Sequence, residues 1–263
     1  AESIKFVVKK WTGEPSLSSL SDLIHEIEDY GPDYIIALGG GSVIDGTKLA
    51  WIFYEHPAIK PEDMFRLFSI PPLRGKARFA AIPTTVGSGS EVSSAAVLID
   101  PSSGSKKAVV SHDLLPDLVI LDPEFLTEVS PLILRPTIAD ALSHAIEGYL
   151  STIDHPLMNI FAEKAVQIIF SYKGKLKDKV WSEDMLKDLQ YASMLAGWVQ
   201  NHCLVGMSHA VAHQLGSFEV GHALANGLLM PEVIEFNCSN TQAKEKYSHL
   251  CLQAGIPGIH VIK

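Results

Sequence analysis

Five side chains able to grip a cation lie in two short apolar segments. Asp140 and His144 stand four apart in DALSH, His209 and His213 stand four apart in HAVAH, and His222 follows nine residues later. On an α-helix a four-residue spacing places both side chains on one face, so each pair can act on the same ion. A carboxylate with imidazoles is a mixed oxygen and nitrogen donor set. It suits Fe2+, Zn2+, Ni2+ and similar divalent ions and suits thiolate-loving metals poorly. Four of the five groups would complete one site. The plainer reading makes each histidine a hydrogen-bonded core residue and Asp140 with His144 a helix-surface pair worth about 0.5 kcal/mol or less. Burying all five without partners would cost on the order of 1–3 kcal/mol each, which a shared ion offsets. His112, His155 and His202 have no such arrangement and read as ordinary side chains.

Two polar loops form a second constellation. LGGGSVID, Leu38 to Asp45, follows the apolar run DYIIAL and opens a helical stretch. Glycines there let the backbone approach a ligand closely, and the free N–H groups of a helix start favour an anion such as pyrophosphate. A tight strand-to-helix turn with Ser42 as N-cap explains the same residues equally well. The pattern departs from GxGxxG, so the Rossmann fingerprint does not apply. PTTVGSGSEVSS, Pro83 to Ser94, follows ARFAAI and offers hydroxyls for phosphate, ribose or an amide. Two such loops after two parallel strands would lie together at the carboxyl edge of one sheet, where open α/β sheets bind ligands.

The elements that must position these groups fall into two textures. Up to about Asp122, apolar runs (IKFVV, DYIIALGGG, ARFAAIPTT, AAVLID, DLVILDP) alternate with helical or turn-rich stretches such as SLSSLSDLIHEIEDY. That alternation predicts a parallel sheet covered on both faces. After Pro123 helical spacing takes over through TIADALSHAIEGYL, NIFAEKAVQIIFSY, MLKDLQYASMLAGWVQ and ANGLLMPEVIEFN, with KGKLKDKVWSED a solvated loop or helix end. Gly216 is placed to end the HAVAH helix, and GHALANGLL to begin the next. The fold class expected is an α/β N-terminal domain over residues 1–124 followed by an all-helical domain over 125–263, with the boundary at DPEFLTEVSP.

Composition narrows the function classes. With 263 residues and 47% hydrophobic content the chain can bury a large core. A net charge of −9 with scattered Lys and Arg argues against a nucleic-acid partner. No apolar run reaches the roughly 18 residues that span a bilayer, and the start lacks the apolar block of a secretory signal, so a cytoplasmic protein with no membrane partner is expected. Cys203, Cys238 and Cys251 are too few and too irregularly spaced for a disulfide framework or a CxxC metal knuckle, and read as reduced packing residues.

Taken in order, GGGSVID, IPTTVGSGSEVS, DALSHAIEGYLS and GMSHAVAHQLG with GHALANGLLMPEVIEFN resemble the iron-containing (group III) alcohol dehydrogenase family. The similarity runs from about Lys5 to the region of Tyr247. It implies a dehydroquinate synthase-like architecture: a dinucleotide-binding α/β domain, a helical metal-binding domain, and a site in the cleft between them. By match to the family's motifs the metal ligands would be Asp140, His144, His209 and His222, with Fe2+ first and Zn2+ second among the ions. His213 would stand beside the metal, available for proton transfer. The pyrophosphate of NAD or NADP would rest on Gly39, Gly40, Gly41 and Ser42 with Asp45 nearby. Thr84, Thr85 and Ser93 would face phosphate and nicotinamide, and Lys106 the ribose. The implied reaction is reversible hydride transfer between a small alcohol and NAD(P)+, by a homodimer.

Three departures from the family pattern accompany this. Family members are longer at both ends, which implies that the first strand and helix and much of the last helical bundle are lacking here. The linker between His213 and His222 is one residue shorter than in many members. In VVKKWTGEPS, Lys9 beside Lys10 stands where members often carry the Asp that receives the ribose hydroxyls of NAD, and a cation there favours NADP. Two rival readings use the same motifs. One is a dehydroquinate-synthase-like lyase or a metal-free maleylacetate-reductase-like enzyme; the other is a nucleotide-binding module without turnover. Scattered helical side chains such as Phe125, Trp198, Met207 and Phe218 would shape the substrate pocket, and the substrate itself is not named by them.

Overall fold

The computed structural model describes residues 4–11, 13–100, 105–215 and 220–256. Gly216 and Phe218 lie outside the described residues. Helix α1 (Leu17–Tyr30) starts at a reciprocal cap, in which Ser16 accepts from the Ser19 amide and the Ser19 hydroxyl accepts from the Ser16 amide, and ends at a left-handed Gly31. Strand β1 (Tyr34–Gly39) runs straight into α2 (Gly41–Glu55). A single turn, α3 (Pro61–Met64), leads to β2 (Arg78–Pro83). Then come β3 (Ala95–Ile99), β4 (Lys106–Val110) and the short β5 (Leu118–Val119).

Helices make up the rest: α4 (Pro131–Leu150), α5 (Pro156–Ser171), α6 (Glu183–Cys203), α7 (Met207–Leu215), α8 (His222–Asn237) and α9 (Thr241–Gln253). The stretch 172–181 between α5 and α6 is a loop, as its polarity predicts. Two hydrophobic cores result. One gathers α1, α2 and the strands around Trp51, which stacks on Phe79 with ring centroids 5.3 Å apart. The other is built by α4, α5 and α6, closed by Met230, Tyr247 and Leu250.

The sheet departs from expectation in three ways. β1, β2 and β5 form a parallel sheet in the order β1-β2-β5, but β3 and β4 form a separate antiparallel pair. Only six residues join them, enough for a hairpin and too few for a parallel crossover. Second, among the described residues one face of β1 is left uncovered. α2 packs against Ile35 and Ala37, while Tyr34, Ile36 and Leu38 on the other face of β1 are exposed, Ile36 by 60%. Third, IKFVV forms no strand: residues 4–11 carry no regular structure, and Ile4, Phe6, Val7 and Val8 are exposed. A strand requires a neighbour to take its N–H and C=O groups, and none of the described strands pairs with this run.

Glu55, at the end of α2, fixes the approach to β2. Its carboxylate accepts from the amides of Arg74 (3.1 Å), Gly75 (3.0 Å), Lys76 (3.0 Å) and Ala77 (3.0 Å) and from the Trp51 indole (3.3 Å). Burial by itself raises this carboxyl; the Ala77 and Lys76 amides outweigh it and hold it below its ordinary value of 4.5. A depressed folded value means stabilisation that is present above the unfolded value and lost as pH falls through the folded one. Glu55→Gln is therefore expected to lower the free energy of urea unfolding by about 2 kcal/mol at neutral pH. The gap from the native protein should close as the buffer is taken below pH 4.5; a gap that stays constant with pH would refute this account.

Candidate metal and dinucleotide site

Three helices bring the histidines to one acid. α4 supplies Asp140 and His144, α7 supplies His209 and His213, and α8 begins at His222. Ligand atoms of Asp140, His209 and His222 all lie within 4.8 Å of one another. From Asp140 Oδ1 the distance to His209 Nε2 is 3.6 Å and to His222 Nε2 3.9 Å. His144 joins this cluster by stacking on His209, with centroids 4.5 Å apart, although its nitrogen is not among the converging three. His213 flanks His222, centroids 4.9 Å apart, and is exposed at the rim.

Hydrogen bonds outside the cluster decide which nitrogen each ring offers. His144 Nδ1 lies 3.0 Å from the Gly87 carbonyl, which can only accept, so Nδ1 carries the proton and Nε2 the lone pair. His209 Nδ1 lies 2.6 Å from Glu147 Oε2, with the same consequence. His222 Nε2 accepts from the Asn226 amide at 3.1 Å, and that amide also donates to Asp140 Oδ1 at 2.7 Å. Each of the three imidazoles thus keeps its lone pair on Nε2, with that of His222 engaged by Asn226.

The electrostatics agree. Burial raises Asp140, but His144, His209 and His222 around it more than reverse this and hold the carboxyl well below its usual range. Burial lowers His144 and His222, each to about 4, so both are neutral donors near pH 7. Burial also lowers His209, yet the Asp140 and Glu147 carboxylates beside it prevail and raise it, which marks the space beside Nε2 as one that attracts a cation. That Nε2 is buried and has no hydrogen-bond partner. A carboxylate, neutral imidazoles and one orphaned nitrogen fit a divalent ion such as Fe2+ or Zn2+.

The two polar loops also meet. β1 and β2 are parallel, Gly39 pairs with Pro83, and the Thr84 amide donates to the Gly39 carbonyl at 3.0 Å. A side chain on Gly41 would come within 2.8 Å of Ser88 Cβ, so glycine is what permits the contact. The N-cap of α2 is Gly40, without a side-chain bond; Ser42 sits inside the first turn, which corrects its reading as the cap. Gly40, Gly41, Ser42, Thr84 and Thr85 are partly exposed along this edge. Asp45 and Ser93 are not: both are buried, Asp45 accepting from the Val97 amide and the Ser93 hydroxyl bonding Ala95 O. Lys106 pairs with Glu14 at 2.9 Å, and its charge bears on His213 and His222. Lys9 pairs with Glu26 on α1.

Several supporting residues escape a reading by motif. Glu147 and Asn226 do leave a signal, the first three residues beyond His144 in an apolar run, the second four beyond His222. Ser193, Gly197 and Asn201, spaced by four along α6, leave none. Ser193 accepts from the Gly87 amide (2.6 Å), Asn201 from the Ser94 amide (2.7 Å), and a Cβ on Gly89 would lie 2.5 Å from the Gly197 Cα. They hold the second loop against the helical half.

Comparison with known proteins follows this geometry. The family model described as iron-containing alcohol dehydrogenase matches residues 1–123, and that for the C-terminal part of the Fe-containing alcohol dehydrogenase family matches residues 136–259. The chain is 36% identical to the NADPH-dependent butanol dehydrogenase of Clostridium saccharobutylicum, over 93% of this chain and 62% of that protein. It is 37% identical to a 1-propanol dehydrogenase of Citrobacter freundii, over 91% of this chain and 63% of that one. The solved structure of an iron-containing alcohol dehydrogenase from Thermococcus thioreducens superposes with a TM-score of 0.86 at 31% identity, covering 95% of this chain and 66% of the other. The chain therefore spans just under two thirds of the length of these relatives.

Glu147 anchors His209 while accepting the amides of Gly206 (3.0 Å) and Ser208 (2.6 Å), so it fixes both the ring and the start of α7. Loss of such an outer partner weakens metal sites by roughly 10- to 100-fold. Glu147→Gln is expected to lower Zn2+ affinity by that factor in competition with a chelator, at unchanged helix content. Native affinity in this variant would show that Glu147 does not orient the ligand.

Proposed function

The chain belongs to the iron-containing alcohol dehydrogenase family, and from that premise we propose that it is a metal-dependent, NAD(P)-linked oxidoreductase interconverting a small alcohol and its aldehyde or ketone. The observation that carries this reading is the orphaned Nε2 of His209 beside the Asp140 carboxylate. Asp140, His144, His209 and His222 would hold the divalent ion, Fe2+ first and Zn2+ second. When bound, such an ion polarises a substrate oxygen as a Lewis acid, and the nicotinamide supplies the hydride chemistry.

What the chain's own residues contribute is position and a proton path. His213 stands outward of His222 at the rim, and desolvation by the neighbouring helices together with the charges of His209 and Lys106 keeps it below its ordinary value. A neutral imidazole at that rim can take a proton from the cleft and release it to solvent. Gly39, Gly40, Gly41 and Ser42 at the start of α2 would receive pyrophosphate, with Asp45 behind them. Thr84 and Thr85 would border the phosphates and nicotinamide, with Ser93 buried beneath, and Lys106 would face the ribose. The division at 124/125 into dinucleotide and metal halves is part of the same proposal.

NADP over NAD is supported by Lys9 and Lys10 and by the relative named for NADPH; equal Michaelis constants for the two cofactors would remove the preference. A cytoplasmic setting and a homodimer are proposed with it. No helix among the described residues is long and apolar enough to cross a membrane.

An anaerobic screen of small aldehydes with NADPH and NADH, with elemental analysis of the same preparation, tests the whole reading. Aldehyde-dependent cofactor oxidation abolished by chelation supports it, and turnover that survives chelation favours the metal-free reductase instead. His213→Ala should slow turnover by roughly 10²-fold or more with metal content intact. Loss of metal from that variant would show His213 to be a ligand.

A further inference from the structure

Three backbone carbonyls of the stretch after β2 converge on one buried ammonium. Lys48, seven residues into α2 from Gly41, is fully buried. Its Nζ donates to Ser90 O (2.6 Å), Ser93 O (2.7 Å) and Ala95 O (3.0 Å), with Ser93 Oγ at 3.2 Å. An ammonium has three donors, and these carbonyls take them. Asp45, three residues earlier on α2, and Glu91, on the 3₁₀ turn Ser90–Val92, are both buried and balance the charge. Burying a lysine is unfavourable compared with burying a methionine of similar size, so the position needs a reason. The reason on view is that the carbonyls of a 3₁₀ turn (Ser90), of the residue after it (Ser93) and of the first residue of β3 (Ala95) all point one way, and a trivalent donor ties these three pieces together.

The cluster ties α2 to the second loop of the dinucleotide edge. α2 begins at the glycine turn, and the residues Lys48 grips continue directly from Thr84, Thr85 and Ser88, which border that turn. A loop that is to receive phosphate should keep its carbonyl oxygens away from the anion. We propose that Lys48 is a positioning residue for the dinucleotide: it draws the carbonyls of Ser90, Ser93 and Ala95 into the interior and locks the second loop to the helix whose N-terminus is the glycine turn. It does not touch the ligand, because it has no exposed surface and its donors are all engaged. From the far side Ser193, Gly197 and Asn201 of α6 hold the same loop, so it is fixed on both flanks. The assignment rests on the reading that these loops receive a nicotinamide dinucleotide.

Lys48→Met tests it in the full chain. Titration with NADPH and NADH, followed by nicotinamide fluorescence, is expected to show dissociation constants raised tenfold or more, with Zn2+ content equal to that of the native protein. In turnover the Michaelis constant for the dinucleotide should rise and that for the alcohol should not. A lysine serving stability alone would lower the urea midpoint and leave the dissociation constant of the folded protein untouched, and that result overturns the proposal. If the native protein itself binds neither dinucleotide, the functional reading fails, and this assignment with it. Should Lys48→Met not fold, hydrogen exchange on the native protein decides. Amides of Val92, Ser93 and Ser94 protected before any dinucleotide is added support a preset loop; fast exchange there until ligand is bound refutes it.

Discussion

The Gly87 peptide is the constraint on which both halves of the site depend. Its N–H is given to Ser193 on α6 and its carbonyl faces His144 on α4, so one loop residue of the α/β half is bonded to two helices of the other half. The six residues from Thr84 to Gly89 have no helix or strand of their own to satisfy them. They are ordered because side chains from three helices take up their polar groups. Where the loop crosses α6, the Gly89 and Gly197 backbones approach so closely that neither position has room for a Cβ. The crossing of the loop over α6 is therefore set by backbone contact, which cannot relax as a flexible side chain would.

Two buried polar clusters sit on opposite sides of this loop and solve opposite problems. Around Lys48 a cation gathers carbonyls and is balanced by Asp45 and Glu91; burial lowers the lysine to about 8 and raises Glu91 to about 7. Around Asp140 an anion gathers imidazoles; His144 and His209 are held from outside through Nδ1, and the Asn226 amide bridges His222 Nε2 and Asp140. In the first cluster the ammonium has all three donors engaged within the chain, and the one unbonded buried oxygen, Asp45 Oδ1, lies in the field of Lys48. In the second, His209 Nε2 has no partner and no cation among the described residues faces it, so its lone pair and the Asp140 carboxylate are left for a ligand. Buried Asp140, half-buried His222 and exposed His213 also form a gradient from the interior to the rim.

The amino-acid sequence carried the parts of this arrangement that are local. Four-residue spacings put Asp140 with His144 and His209 with His213 on single helix faces, and the glycines after DYIIAL made a tight strand-to-helix turn, because helical and strand periods act within a few residues. The change from alternating texture to helices after Pro123 was legible for the same reason. Packing settled the rest. The convergence of α4, α7 and α8, the choice of Glu147 and Asn226 as supports, and the clamp of Ser193, Gly197 and Asn201 involve partners up to 107 residues apart. No local period reports such a distance. AAVLID reads as one more buried strand, yet its pairing with β4 was set by a short connection; IKFVV has the composition of a strand but no described neighbour to receive its hydrogen bonds. Residue type and spacing determined which groups could share a cation, and only the fold decided which nitrogen each would offer, because that depends on hydrogen bonds made across the interior.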